Sequence, residues 1–290
     1  MPDFKISGGF SFIDSHVHFW DQRVLPYPWL VEVPTIAGPH TPADLQVEAK
    51  EEYPAQIVFV ECGAPGPAEV KWIEELAARE PRITGIVAKI PVNAGPATTL
   101  AIAGLKRHPL VKGVRHLIQD EPDPRFCLTP AFLAGVRAVG AARLTFDLCC
   151  RHHQLAAVVE LVRECPDTRF ILDHCGKPAI KAGLLDPWRG HLTALAALPN
   201  VDCKLSGLIT EADHAAWTLD DLRPYVNHVL ATFGPDRLLF GGDWPVAKLA
   251  GAYPRWLNAA RALVSHLSST EQAAIFAGNA MRVYRLASSK

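Results

Sequence analysis

Eight short apolar runs alternate with longer amphipathic ones at intervals of about 25–35 residues, and that alternation limits the fold more than any single motif does. The apolar runs read as strands at Phe12–Trp20, Gln56–Cys62, Ile83–Ile90, Val111–Leu117, Arg143–Cys149, Arg169–Cys175, Val201–Leu205 and Arg237–Asp243. The runs between them read as helices at Ala43–Glu52, Ala68–Arg79, Ala97–Lys106, Pro130–Val139, Gln154–Glu164, Trp188–Ala197 and Leu219–Phe233. Pro254–Ser265 supplies an eighth helix and Thr270–Tyr284 a helical tail. Strand and helix in regular alternation imply a parallel sheet, and eight such units in 290 residues imply closure into a (β/α)8 barrel of the α/β class. No G-x-G-x-x-G or P-loop follows any strand, which argues against an open doubly wound sheet. No linker or low-complexity segment divides the chain, so residues 1–290 are read as one domain. The long segment Asp21–Pro42, with its five prolines and with Tyr27 and Trp29, is expected to be a functional loop.

Charge and composition narrow the function classes. Lys and Arg number 29 against 30 Asp and Glu, so no broad attraction to nucleic acid or to an anionic membrane is expected. Met1–Gly9 lacks a basic segment followed by an apolar one, and no uncharged apolar run reaches the ~18–20 residues that span a bilayer. A soluble cytoplasmic protein is the expectation. Cys62, Cys127, Cys149, Cys150, Cys165, Cys175 and Cys203 are odd in number and show no C-x-x-C spacing. They fit reduced thiols better than a disulfide frame.

In such a barrel the chemistry gathers at the C-terminal ends of the strands. Those ends carry His16 and His18, Glu61, Lys89, Arg115 and His116, Asp147, Asp173 and His174, Lys204 and Ser206, and Asp243. His16 and His18 are two residues apart on a strand, so they face the same way about 7 Å apart. An isolated H-x-H also suits two buried structural histidines. If the first and last strands are neighbours, however, both histidines meet Asp243. Lys204 and Asp147 could instead pair within the mouth, and Asp173 could point into the helix layer. The turn Cys175-Gly176-Lys177-Pro178 should expose His174. His40, His108, His153, His191, His214, His228 and His266 are expected at the surface, with His152 open.

Five motifs, in this order, carry a resemblance: Ile13-Asp14-Ser15-His16-Val17-His18-Phe19-Trp20; Gly113-Val114-Arg115-His116 followed by Asp120-Glu121-Pro122-Asp123; Leu172-Asp173-His174-Cys175-Gly176-Lys177-Pro178; Cys203-Lys204-Leu205-Ser206-Gly207-Leu208; and Phe240-Gly241-Gly242-Asp243-Trp244-Pro245-Val246. With the closing Gly278-Asn279-Ala280-Met281-Arg282-Val283-Tyr284 they span nearly the whole chain. The ordered set resembles the amidohydrolase superfamily, within it the lactonase branch that opens sugar-acid lactones such as L-fuconolactone. Two-metal members carry a carboxylated lysine on the fourth strand and a histidine ending the fifth, where this chain has Arg115-His116 and Phe146-Asp147-Leu148. The resemblance therefore implies one divalent ion or none, with zinc expected on His16, His18 and Asp243.

It also implies hydrolysis by an activated water, with Asp243 as general base and then acid, and either a metal on His16 and His18 or His174 with Arg115 to polarise the carbonyl and the developing oxyanion. Arg115, His116, Lys204, Glu61 and Trp29 are the expected substrate contacts. The expected partner is a small sugar lactone, with a homo-oligomer left open. No G-x-S-x-G elbow supports a serine nucleophile. The alternatives are a metal-dependent decarboxylase of the same superfamily and a non-catalytic binding barrel. The Arg115-His116 and Lys204-Leu205-Ser206 segments argue against the first, and the presence of Asp243, His16 and His18 argues against the second.

Overall fold

The computed structural model describes residues 11–287. The reading of Met1–Gly9 lies outside these residues. Eight parallel strands follow one another around the sheet in chain order. They are β1 Ile13–Val17, β2 Gln56–Val60, β3 Ile83–Lys89, β4 Val111–Leu117, β5 Thr145–Cys149, β6 Arg169–Leu172, β7 Val201–Leu205 and β8 Leu238–Phe240. The helices are α1 Pro42–Ala49, α2 Gly66–Ala77, α3 Pro96–Leu105, α4 Pro130–Ala141, α5 Leu155–Glu164, α6 Trp188–Ala196, α7 Leu208–Glu211, α8 Leu219–Phe233, α9 Tyr253–Leu263, α10 Ser269–Ala273 and α11 Asn279–Tyr284. The expected barrel is thus present.

Closure falls just beyond the last strand. The His18 amide donates to the Trp244 carbonyl at 2.7 Å, and the Asp243 amide donates to the His16 carbonyl at 2.8 Å. The residues expected to carry the chemistry are therefore among those that close the ring.

Strands buried on both faces need continuous apolar sequence, and two apolar layers result. Phe12, Phe59, Phe146, Phe170 and Phe240 pack outward with the helices. Val58, Val60, Val87, Ile171 and Leu239 form a separate inner cluster with Ala280, Val283, Tyr284 and Leu286 of the C-terminal segment. That segment plugs the lower end of the barrel.

Several elements differ from expectation for local reasons. The tail is broken into α10, a π-turn at Ala274–Gly278, and α11. The loop 21–42 contains two short 3-10 turns, Pro28–Glu32 and Pro34–Ile36, each opened by a proline with its φ already set for a turn. β6 stops at Leu172, three residues short of the expected end, because His174, Cys175, Gly176 and Lys177 all take positive φ. All seven cysteines are buried and unpaired. No helix among the described residues is long and apolar enough to cross a membrane.

Candidate active site at the barrel mouth

Three imidazoles converge on one carboxylate oxygen. His18 Nε2, His16 Nε2 and His174 Nε2 lie 3.5, 3.8 and 3.9 Å from Asp243 Oδ1. All four residues are at most 5% exposed. The strand reading of H-x-H holds in its consequence, since His16 Nε2 and His18 Nε2 are 3.2 Å apart. His18 Nδ1 meets the Val60 carbonyl at 2.8 Å, and an oxygen that only accepts fixes the proton on Nδ1. His18 Nε2 therefore faces the site.

Asp243 has φ +53°, an uncommon conformation for a residue other than glycine. Asp14 holds this corner from behind. Its carboxyl accepts from the Gly242 amide at 2.8 Å, the Tyr253 hydroxyl at 2.8 Å and the His16 amide at 3.0 Å. A side chain at Gly242 would meet Asp14 Oδ2 at 2.3 Å, so only glycine allows the contact. Burial pushes the Asp14 carboxyl up to about 7 despite these donors.

Beneath the imidazoles lies a charged layer. Lys204 Nζ is fully buried and meets Asp147 Oδ2 at 2.6 Å, Asp173 Oδ1 at 3.0 Å and His16 Nδ1 at 3.1 Å. Asp147 also accepts from Tyr284 Oη at 2.7 Å, which ties the lower plug to the site. Arg115 donates to Glu61 Oε1 at 2.8 Å and reaches Asp173 Oδ2 at 3.3 Å, with Nη1 directed toward His16 Nε2 at 3.4 Å.

The electrostatic consequences are sharp. Burial and the Lys204 cation hold His16 neutral, with its pKa well below the ordinary imidazole value. Burial lowers His174 to about 4. For Asp243, burial alone would raise the carboxyl, but the imidazoles of His174, His18 and His16 outweigh it and hold it below the usual carboxylate range. Burial thus disfavours a charge on His16 and His174, while the imidazole cluster favours the carboxylate form of Asp243.

Not every expected substrate contact reaches this space. Lys204 and Glu61 are both 0% exposed and act as supports, one beneath His16 and the other beneath Arg115. His116 follows Arg115 directly, so the strand alternation turns it to the opposite face. There it binds Glu121 at 2.7 Å and packs on Phe126 and Phe132 of the helix layer. Trp29 stands on the rim, donating to the Cys62 carbonyl at 2.7 Å. Tyr27 is buried at 2% exposure, leaving Trp29 as the aromatic face this loop offers.

Asp173 points inward, not into the helix layer, and Lys89 is exposed with Nζ 3.2 Å from the Gly63 carbonyl. Among the histidines expected at the surface, His40 is an exception. It is 8% exposed and lies between the rings of Trp20 and Trp244. Ser206, whose Oγ lies 2.9 Å from His174 Nδ1, orients that ring. Its position directly after β7 was the sequence signal for it. Asp14 and Tyr284 stood in the quoted motifs without a role, because the side-chain partners Tyr253 and Asp147 are more than a hundred residues away.

Among the described residues, two donor sets could hold a metal ion, with the ligand atoms of each set all within 4.8 Å of one another: His16, His18 and Asp243, and His16, Asp173 and His174. The first fits better, because Asp173 is already engaged by Lys204 and Arg115. Nitrogen and carboxylate donors in this number suit zinc.

Comparison with known proteins agrees with this geometry. A family model described as amidohydrolase matches residues 13–286. An L-fucono-1,5-lactonase of Burkholderia multivorans is 35% identical, covering 94% of this chain and 96% of its own. Another, from Burkholderia ambifaria, is 32% identical over 94% of this chain and 95% of its own. The crystal structure of an amidohydrolase from Burkholderia multivorans with bound zinc superposes with a TM-score of 0.87 at 33% identity, covering 95% of this chain and 99% of that one. The chain belongs to the amidohydrolase family.

Proposed function

We propose that this protein hydrolyses a sugar-acid lactone, of the fuconolactone or related aldonolactone kind, with Asp243 as general base. The observation that carries the reading is the buried Asp243 carboxylate at the barrel mouth, with the Nε2 atoms of His18, His16 and His174 at 3.5, 3.8 and 3.9 Å from its Oδ1. A carboxylate so placed takes a proton from water and holds it where little bulk solvent can exchange it. The water oxygen forms a bond to the lactone carbonyl carbon, the ring carbon–oxygen bond breaks, and Asp243 returns the proton to the leaving alkoxide. The product is an open-chain hydroxy acid.

His174, oriented by Ser206, and Arg115 Nη1 are the donors placed to face the developing oxyanion. A divalent ion held by His16, His18 and Asp243 would polarise the carbonyl and make the bound water more acidic. The lactonases similar to this chain act on sugar lactones, and the polar mouth with Trp29 on its rim suits an oxygen-rich ring with one apolar face. These points favour hydrolysis over the decarboxylase alternative.

A panel of aldonolactones, unsubstituted valerolactone and aryl esters, followed by acid release with a pH indicator, tests this reading. Faster turnover of one or more aldonolactones is expected. Valerolactone turning over as efficiently as every aldonolactone would leave only a general lactonase or esterase.

A further inference from the structure

The turn after β6 is left-handed over four consecutive residues. φ is +54° at His174, +52° at Cys175, +72° at Gly176 and +48° at Lys177, and the Lys177 amide closes the turn on the His174 carbonyl at 2.9 Å. L-residues other than glycine resist this conformation because Cβ crowds the following carbonyl oxygen. Lys177 resists it further, because Pro178 follows and the residue before proline favours extended backbone. Such strain persists where the surroundings enforce it, commonly at functional sites. The surroundings here are explicit, since Gly207 at the start of α7 has φ +61° and a side chain there would meet His174 Nδ1 at 2.4 Å.

The effect of the turn is to bring Lys177 back toward the mouth, three residues after His174. Its side chain is 17% exposed, yet its one ion pair is a long one, with Glu211 Oε1 at 3.6 Å. The carboxylates of Glu211 and Asp243 both act electrostatically on this ammonium. Lys177 and Glu211 line a pocket of about 240 Å³ with Arg151, His152 and Lys181, built from the segments after β5, β6 and β7. In a barrel of this kind those segments carry substrate specificity.

Charge decides which group the pocket takes. Lys181 is engaged by Asp213 at 3.4 Å, Arg151 adds a further cation to the lining, and the Glu211 carboxylate faces the same space as Lys177. A second carboxylate entering there would meet Glu211. A hydroxyl both donates and accepts, so it satisfies Lys177 and Glu211 together. We infer that Lys177 and Glu211 form a donor–acceptor pair that recognises hydroxyls on a short polyol substituent of the lactone ring, making them specificity-determining residues. The inference rests on the lactonase reading and adds the part of the substrate that is read.

The test compares kcat/KM for a hydroxylated δ-aldonolactone and for unsubstituted δ-valerolactone, in the wild type, Lys177→Met, Lys177→Arg and Glu211→Ala. Circular dichroism and a urea midpoint confirm folding of each variant. A hydrogen bond to a charged group contributes enough that its loss should lower the aldonolactone-to-valerolactone ratio about 10–100-fold in Lys177→Met. Glu211→Ala should lower it in the same direction, and Lys177→Arg should recover part of it. A ratio unchanged in both Lys177→Met and Glu211→Ala, or equal losses on both lactones, would overturn the pair as a specificity device while leaving the lactonase reading intact. A wild-type protein that opens neither lactone would overturn the lactonase reading, and the inference with it.

Discussion

Removing the Lys204 ammonium would leave the Asp147 and Asp173 carboxylates in a fully buried layer without the cation that lies 2.6 and 3.0 Å from them. Breaking a buried ion pair by deleting one partner strands an uncompensated charge, at a cost of about 3–5 kcal/mol. Lys204→Met should therefore lower the urea midpoint by a corresponding amount and disturb His16, whose Nδ1 lies 3.1 Å from the ammonium. A midpoint within ~1 kcal/mol of wild type would mean that the two carboxylates take up protons at no cost. His16, His18 and Asp243 were legible in the sequence because a two-residue alternation and one assumption of barrel closure bring them together. The burial of Lys204 was not, since its partners come from β1, β5 and the turn after β6. The turn of His116 away from Arg115 was readable from the strand period.

Helix α2 carries a further buried carboxyl, outside the imidazole cluster. Glu69 accepts from the Cys62 amide at 3.2 Å, just beyond β2. Burial, reinforced by Glu61, pushes it up to about 8. In the unfolded chain the group ionises near its ordinary value of 4.5, so between about 4.5 and 8 the native state binds more protons than the unfolded one. Stability from this group is present below that window and falls as pH rises through it. Glu69→Gln should remove the slope, so the variant gains on wild type between pH 5 and pH 8, by up to on the order of 1 kcal/mol per pH unit. Urea midpoints at the two pH values check this, and a constant difference between the proteins would place the charge elsewhere. At this scale the strands and helices were readable to within a few residues, because apolar runs of strand length between amphipathic runs leave few alternatives. The left-handed turn after Asp173 was not readable. Gly176 signalled a turn, but its hand is imposed by the packing of Gly207 against His174.

Across the whole molecule, eight strands closed through His16–Asp243 and His18–Trp244 backbone bonds place a single carboxylate-and-imidazole cluster at the mouth. The charged layer beneath it uses Lys204 and Arg115, whose cations already occupy the space a second ion would need. Metal analysis of the purified protein should therefore return at most one equivalent of divalent ion per chain, and two tightly held equivalents would contradict this arrangement. In the proposed reaction a water activated by Asp243 adds to a lactone carbonyl. The most direct measurement is mass spectrometry of the product formed from the best aldonolactone in H₂¹⁸O, with wild type and Asp243→Asn side by side. The account predicts one ¹⁸O in the carboxylate of the hydroxy acid, no loss of carbon dioxide, and a rate lower by at least ~10²-fold in the folded variant. Release of carbon dioxide, or near-normal turnover by Asp243→Asn, would contradict it.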